Sequence, residues 1–340
     1  MSPDRDAARG KRHAEAVITP LTERILGIFP GPRWFWTAVW ALSAIPQLFL
    51  TLRLLEMMTH AQAAATPTYW ELAMGVNAIF ISVWGSRKLA AELRRTEPII
   101  SRLTGKGGTS TNRPIRGLDS IRGPLLLTAA VAALDAVLLT LEYGWRVALV
   151  MYPTDFLFLL PLLAFFWTYA SLLIGLNRLG REKLRLNSTP GDRTLGLRPV
   201  GSLAFTGFWI FSLGFAPILI VSATSIPILV LNLGFFLIGF VLFVLSLSRL
   251  HRQMLEAKQQ HLDLARNLYA EAYRPLPRTP RVRMLKSISP LLSAAEALEK
   301  RSASIQEWPF DEVLTGRIAI IVSSVVATVI ARIILDTLGL

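Results

Sequence analysis

The chain has 340 residues, of which 52% are hydrophobic and 17% are charged, and its formal net charge is +13. This composition excludes an ordinary soluble domain and is typical of a protein that crosses the membrane several times. Because the chain has no cysteine, it contains no disulfide, no thiolate metal site and no cysteine nucleophile.

The first 33 residues form the predicted N-terminal tail. Their beginning is mostly polar and lacks the apolar region of a cleavable signal peptide, so we expect the first spanning helix to act as its own insertion signal. A short amphipathic segment, Leu21 to Phe29, is expected to lie on the membrane surface. Pro30, Gly31 and Pro32 end it, and an aromatic cluster then opens the first span.

Long apolar runs predict an all-α fold with about seven transmembrane helices. In span one, Pro46 and Gln47 are expected to interrupt the helix midway. The predicted organisation is: N-terminal tail, 1–33; spans one and two, 34–86; basic loop, 87–122; spans three and four, 123–176; basic loop, 177–200; spans five and six, 201–248; helical hairpin, 249–313; span seven, 314–338.

The polar segment before the last span has heptad spacing. Leucine, alanine, methionine and histidine recur every seventh residue in two series, which are Leu250, Ala257 and Leu264, and Leu247, Met254, His261 and Leu268. This spacing predicts that span six continues into the aqueous phase as a helix with a coiled-coil seam. A second helix, at about 288–306, completes the predicted hairpin, and Trp308, Pro309 and Phe310 mark the return to the bilayer.

The positive charges are strongly biased in position. Of the 36 lysines and arginines, 33 fall in the tail, the two basic loops and the segment from Arg249 to Arg317. This bias predicts a multi-pass protein of the cell (inner) membrane, with its N-terminus, basic loops and hairpin in the cytoplasm. The net charge then matches anionic inner-leaflet lipid, and its distribution argues against nucleic acid as a partner.

Asp135 is the most informative single residue, because a carboxylate near the middle of a span is costly and marks a function or a buried pair. Arg332 in the last span is its predicted partner. The alternative is an ion pair that only fixes helix packing.

Glu142, Arg146 and Asp155 are expected to flank a short turn into span four, which we place at Phe156 to Leu176.

The last span carries two neighbouring stripes. One is a seam of small side chains, namely Ala319, Ser323, Ala327 and Ala331, and the other is a polar row formed by Ser324, Thr328, Arg332 and Asp336. Because polar groups are costly in lipid, we expect this helix to lie inside a bundle. The polar row is predicted to line or gate a path, or alternatively to be a packing face.

Asn77 and Asn232 are expected to form hydrogen bonds between helices.

No pattern supports catalysis, a cofactor or a metal site. The Gly105 to Thr111 loop lacks the order of a phosphate-binding loop, and the four histidines include no pair at ligand spacing. An enzyme is therefore the least favoured class of function.

The leading hypothesis is a channel or permease for small solutes or ions. The alternative is a sensor or scaffold whose residues 249–313 bind a cytoplasmic protein or anionic lipid, and both seams suggest a homo-oligomer.

Overall fold

The structure, a computed structural model, describes residues 19–59, 69–105, 117, 119–186, 192–221, 226–274, 282–310 and 312–337. Within these ranges the chain is all-helical and has no strand. The helices are α1 (Leu21–Leu26), α2 (Arg33–Leu42), α3 (Ala44–Thr59), α4 (Tyr69–Thr104), α5 (Arg122–Tyr143), α6 (Trp145–Leu179), α7 (Arg198–Val221), α8 (Ile226–Tyr273), α9 (Val282–Ala303) and α10 (Glu312–Thr337).

Four helices in the described ranges are long and apolar enough to cross a membrane. These segments are Arg122–Leu141 in α5, Trp145–Leu179, which is all of α6, Arg198–Ala216 in α7 and Asn232–Tyr273 in α8. They overlap the predicted spans three to six and indicate a helical membrane protein. The other three predicted spans stay predictions.

The region predicted as the first span contains two helices. α2 ends at Leu42 and α3 begins at Ala44, with Ser43 donating its backbone N–H to the Val39 carbonyl over 3.0 Å. Pro46 is the third residue of α3 and has no N–H to donate to the preceding turn, which favours a helix end just before it. The proline therefore coincides with a real interruption of the helix.

The core lies between α4, α6, α7 and α8 and is rich in aromatic rings. Phe208 of α7 stacks on Phe243 of α8 with ring centroids 4.8 Å apart, and Phe211 stacks on Tyr169 of α6 at 5.1 Å. Such stacked pairs add to the free energy gained by burial. α5 packs mainly on α6, and α10 packs on α7, so both flank this core.

The short helix α1 is packed against neighbouring helices, and its predicted position on the membrane surface stays a prediction. Leu21 and Leu26 are buried against α4 and α6. The Glu23 side chain is only 5% exposed and accepts ion pairs from Arg33 at 2.8 Å and Arg94 at 3.3 Å. The Glu23 carboxylate thus joins three helices, α1, α2 and α4.

The connection between α5 and α6 differs from the predicted one. It is the single residue Gly144, whose φ of 93° is a conformation that glycine adopts readily. α6 then begins at Trp145, so Glu142 and Arg146 flank the connection as predicted, whereas Asp155 lies well inside α6 and not beside a turn, where we had expected it. Pro153 is accommodated within this long helix.

α9 packs against the C-terminal half of α8 in the antiparallel direction. Lys258 of α8 forms an ion pair with Glu307 just after α9, and Tyr269 near the end of α8 contacts Glu299. The buried seam of α8 begins as predicted with Leu247, Leu250 and Met254, but it then shifts to Ala265 and Ala272, and Leu264 is 51% exposed. A straight helix drifts in this way from a seven-residue repeat.

The segment after α9 is fixed to the core. Phe310 stacks on Phe243 at 5.9 Å, and Trp308 stacks on His251 at 4.4 Å. The His251 Nδ1 atom lies 2.7 Å from the Glu307 carbonyl oxygen. Pro309 and Gly201 of α7 approach so closely that a Cβ atom at residue 201 would overlap the Pro309 carbonyl.

Asp192 organises the turn that precedes α7. Its Oδ1 atom accepts hydrogen bonds from the Thr194 N–H and hydroxyl at 2.9 and 2.7 Å, and its Oδ2 atom accepts one from the Gly196 N–H at 2.7 Å. Burial alone would raise the pKa of Asp192, but these hydrogen bonds and the charge of Arg198 outweigh it, so its pKa lies below the ordinary value.

We therefore expect Asp192→Asn to lower the free energy of unfolding by about 1 kcal/mol at pH 7. Because the folded-state pKa is depressed, the stabilisation is complete above the unfolded-state pKa, which is about 4. It is lost as the pH falls through the folded-state value. Thermal unfolding in detergent at several pH values should show the difference between the two proteins shrinking below about pH 4. Asp263→Asn, at an exposed ion pair, is the control and should change stability little.

Candidate functional site

The structure brings two carboxyl groups together inside apolar helices. Asp135 of α5 and Asp155 of α6 lie close enough for their side chains to interact, and both residues are half-buried. α5 presents Thr128 and Ala132 to α6, both fully buried, so Asp135 continues the contact face one turn further along. The two acidic side chains therefore meet at the interface between the helices.

The pair lies far from the ends of its helices. Asp135 precedes Gly144 by nine residues and Asp155 follows it by eleven, which places them about 14 and 17 Å along their helices from the connection. Half the thickness of the hydrocarbon core of a bilayer is about 15 Å. Tyr143, Trp145 and Arg146 are exposed around Gly144, as residues at a membrane interface are. If this connection lies at the interface, the carboxyl pair is near the bilayer centre.

The contact between the two carboxyl groups has a direct chemical consequence. Ionised carboxylates only accept hydrogen bonds, so these two side chains can bond to each other only when one of them carries a proton. Two carboxylates without that proton would repel each other strongly in a medium of low dielectric constant. The pair can therefore take up and release one proton, or replace it with a small cation.

Asp155 is the residue of the candidate site that the sequence interpretation missed. The signal was present, because an antiparallel pair of helices joined at Gly144 brings together residues at similar distances from the connection. We had placed the start of span four at Phe156, which left Asp155 in a turn. A backbone position with positive φ favours glycine, and this rule would have identified Gly144 as the connection between the two helices.

The predicted Asp135–Arg332 ion pair remains a prediction. The side chains of Thr328, Arg332 and Asp336 lie outside the described part of the structure. Ser324, the first member of the polar row, is described and is exposed. The role of all four residues in a path therefore stays a prediction as well.

The last helix contacts the core through a face other than the small-residue seam. Ile321 and Val325 of α10 are buried against α7, whereas Ala319, Ser323 and Ala327 are exposed. Large branched side chains fill the space beside the phenylalanine-rich face of α7 better than alanine does. Within one chain, α10 thus lies at the edge of the described helices, and its predicted burial inside a bundle stays a prediction.

The two asparagines predicted to join helices occupy different surroundings. Asn77 of α4 is half-buried and lines an open, mostly apolar groove of about 480 Å³ beside Leu42 and Ile45. Asn232 of α8 is also half-buried. Their predicted interhelical hydrogen bonds stay predictions.

The aromatic core is closely packed. A cavity of about 30 Å³ lies between α4, α6 and α7, bordered by residues that include Ser82, Phe166 and Phe215. Such a volume holds about one water molecule. This part of the bundle therefore has no room for a larger solute in the conformation described.

Metal ligation is not indicated in the described part of the chain, where no group of three or more histidine, aspartate or glutamate side chains is arranged to hold an ion. The Asp135–Asp155 pair offers two acidic side chains and so falls short of the number of protein ligands that tightly held divalent cations use. A proton or a weakly held monovalent cation fits the pair better.

No protein-family model matches the chain, and neither the curated proteins nor the solved structures compared with it give a match.

Proposed function

We propose that the protein is a channel or permease of the cell (inner) membrane and that the Asp135–Asp155 pair binds the proton or small cation on which its activity depends. The observation that supports this function most is the close approach of two carboxyl groups in the interior of apolar helices. Ionisable residues in such positions are costly and commonly belong to ion paths and proton relays.

The proposal includes the seven-span topology. Spans one, two and seven join the four apolar helices, the N-terminus and basic loops lie in the cytoplasm, and α9 packs on α8 as a cytoplasmic hairpin. The concentration of lysine and arginine in the tail, the basic loops and the segment from Arg249 to Arg317 supports this orientation. In this arrangement the last span and Asp135 line or gate the path, with Ser324, Thr328, Arg332 and Asp336 as candidate lining residues.

Proton flux in proteoliposomes tests this function. The purified full-length protein is reconstituted with a pH-sensitive dye inside the vesicles, and a membrane potential is imposed with a potassium gradient and valinomycin. We expect acidification above that of empty vesicles. Asp155→Asn and Asp135→Asn should each lower the rate about a hundredfold, a typical loss when a group that transfers protons is removed.

Asp263→Asn is the matched control, because it removes the same charge at an exposed position of α8. It should keep the wild-type rate. Thermal unfolding must show that each variant is folded. A wild-type rate equal to that of empty vesicles, under both pH and sodium gradients, would contradict the proposed function. An unchanged rate in both aspartate variants would remove the pair from it.

A membrane sensor or scaffold is the second candidate function. It is favoured by the α8–α9 unit, in which His251 and Lys258 of α8 contact Glu307 just after α9, so that the end of α9 is held to a helix that continues into the core. When a cytoplasmic protein binds such a unit, the effect of binding can be transmitted to the membrane helices. Specific binding of one cytoplasmic protein to the full-length chain, lost on substitution of exposed α9 residues, together with no ion flux, would favour this function over transport.

A further inference from the structure

A polar cavity lies where α8 leaves its apolar segment. Its volume is about 440 Å³, and it is lined by Gly180, Ser248, Arg249, Arg252, Gln253 and Glu256. Residues 249, 252, 253 and 256 share one face of the helix. The cavity therefore lies between this face and the end of α6.

Contacts between α6 and α8 fix the wall of the cavity. The side-chain amide of Gln253 donates hydrogen bonds to the carbonyl oxygens of Gly180 at 2.9 Å and Glu182 at 2.7 Å. Gly180 permits this approach, because a Cβ atom there would lie only 2.7 Å from the Arg249 Cβ atom. The cavity is thus formed before any ligand binds, which lowers the entropy cost of binding.

The two arginines in the cavity are exposed, and their side chains form no ion pair or hydrogen bond with any residue in the described ranges. A guanidinium group presents a planar set of N–H donors that matches the oxygen atoms of a phosphate group. Glu256 is the one carboxylate in the lining, so the charged side chains of the cavity sum to a net positive charge. This chemistry selects an anion.

The position of the cavity indicates the source of that anion. Arg249 directly follows the apolar run that ends at Leu247 and Ser248, and arginines at the end of a span lie at the level of the lipid headgroups. A phospholipid phosphate occupies the same level. We propose that the cavity bound by Arg249, Arg252 and Gln253 is a binding site for the phosphate group of an anionic membrane phospholipid.

Lipid titration of the full-length protein tests this site. The protein is purified in a neutral detergent, and its thermal unfolding midpoint is measured against added phosphatidylglycerol, phosphatidylcholine or inorganic phosphate. We expect saturable stabilisation by phosphatidylglycerol. The double variant Arg249→Gln/Arg252→Gln should need about tenfold more of this lipid for half of the effect, since it loses charge-assisted hydrogen bonds.

Arg95→Gln/Arg102→Gln removes the same charge from exposed positions of α4 and should leave the lipid titration unchanged. Glu256→Gln keeps both arginines and should lower the half-saturating concentration two- to threefold, which gives a second measurement if the double variant does not fold. Equal stabilisation by inorganic phosphate would support the phosphate site and assign it to a soluble ligand. Identical titrations for wild type, the Arg249/Arg252 variant and Glu256→Gln would overturn the proposal.

Discussion

Gly201→Ala should destabilise the protein by on the order of 3 kcal/mol, the upper part of the range for overpacking a closely packed interior. A methyl group at this position would overlap the Pro309 carbonyl oxygen, which is a backbone atom and cannot rotate away. Relief requires either α7 or the segment before α10 to move. Because Phe310 in that segment is stacked on Phe243, movement would also disturb the aromatic core. The midpoint of thermal unfolding, measured in detergent, should fall by several degrees.

Gly316→Ala is the matched control, because it makes the same substitution in a helix where, apart from that helix's own adjacent backbone and residues, no atom of the described structure lies within 4 Å of the added Cβ atom. Alanine favours a helix over glycine by about 1 kcal/mol, so this variant should unfold at the same temperature as the wild type or slightly higher. Equal midpoints for Gly201→Ala and Gly316→Ala would show that the segment containing Pro309 is not fixed against α7.

Glu23→Gln should cost about 2 kcal/mol, less than the loss expected when one member of a fully buried ion pair is removed. The carboxylate is 5% exposed and joins α1 to Arg33 and Arg94, so the neutral amide would lose two ion pairs at once. The two arginine side chains are 51% and 35% exposed, and water can therefore compensate part of the loss. Denaturant or thermal unfolding of the full-length protein measures this change.

Glu92→Gln tests whether burial is what makes Glu23 important. Glu92 also forms two ion pairs, with Lys88 and Arg95 in its own helix, but at a more exposed position. Such pairs contribute about 0.5 kcal/mol or less. If Glu92→Gln destabilised the protein as much as Glu23→Gln, the joining of three helices through Glu23 would not be the cause.

Hydropathy alone was sufficient to predict the four apolar helices, because residues 123–141, 156–176 and 201–248 contain long runs with few charged side chains. The interruption near Pro46 was also predictable, since proline lacks the N–H group that a helix interior needs. In contrast, the ion pairs of Glu23 join residues 10 and 71 positions apart. No local pattern encodes such a contact.

The candidate site was predictable only in part. Asp135 stands out as a carboxylate in an apolar run, but its partner depends on which helices are neighbours. Arg332 was chosen by depth, and that pairing stays a prediction because its side chain lies outside the described part of the structure. The structure adds Asp155, which approaches Asp135 across the extensive contact between α5 and α6. The face of α10 that packs on α7 was missed for a similar reason. Small residues permit close approach, but the phenylalanines of α7 offer a better fit to isoleucine and valine.

The one-residue link at Gly144 limits how α5 can move. A connection without slack does not allow α5 to slide along α6 by a helical turn, which would need a shift of about 5.4 Å. A tilt about Gly144 remains available, and it needs little rearrangement elsewhere because α6 is the main neighbour of α5. Tilting α5 outward draws Asp135 away from Asp155 while the aromatic core stays intact. The glycine hinge is thus where the opening and closing of the carboxyl pair would be governed.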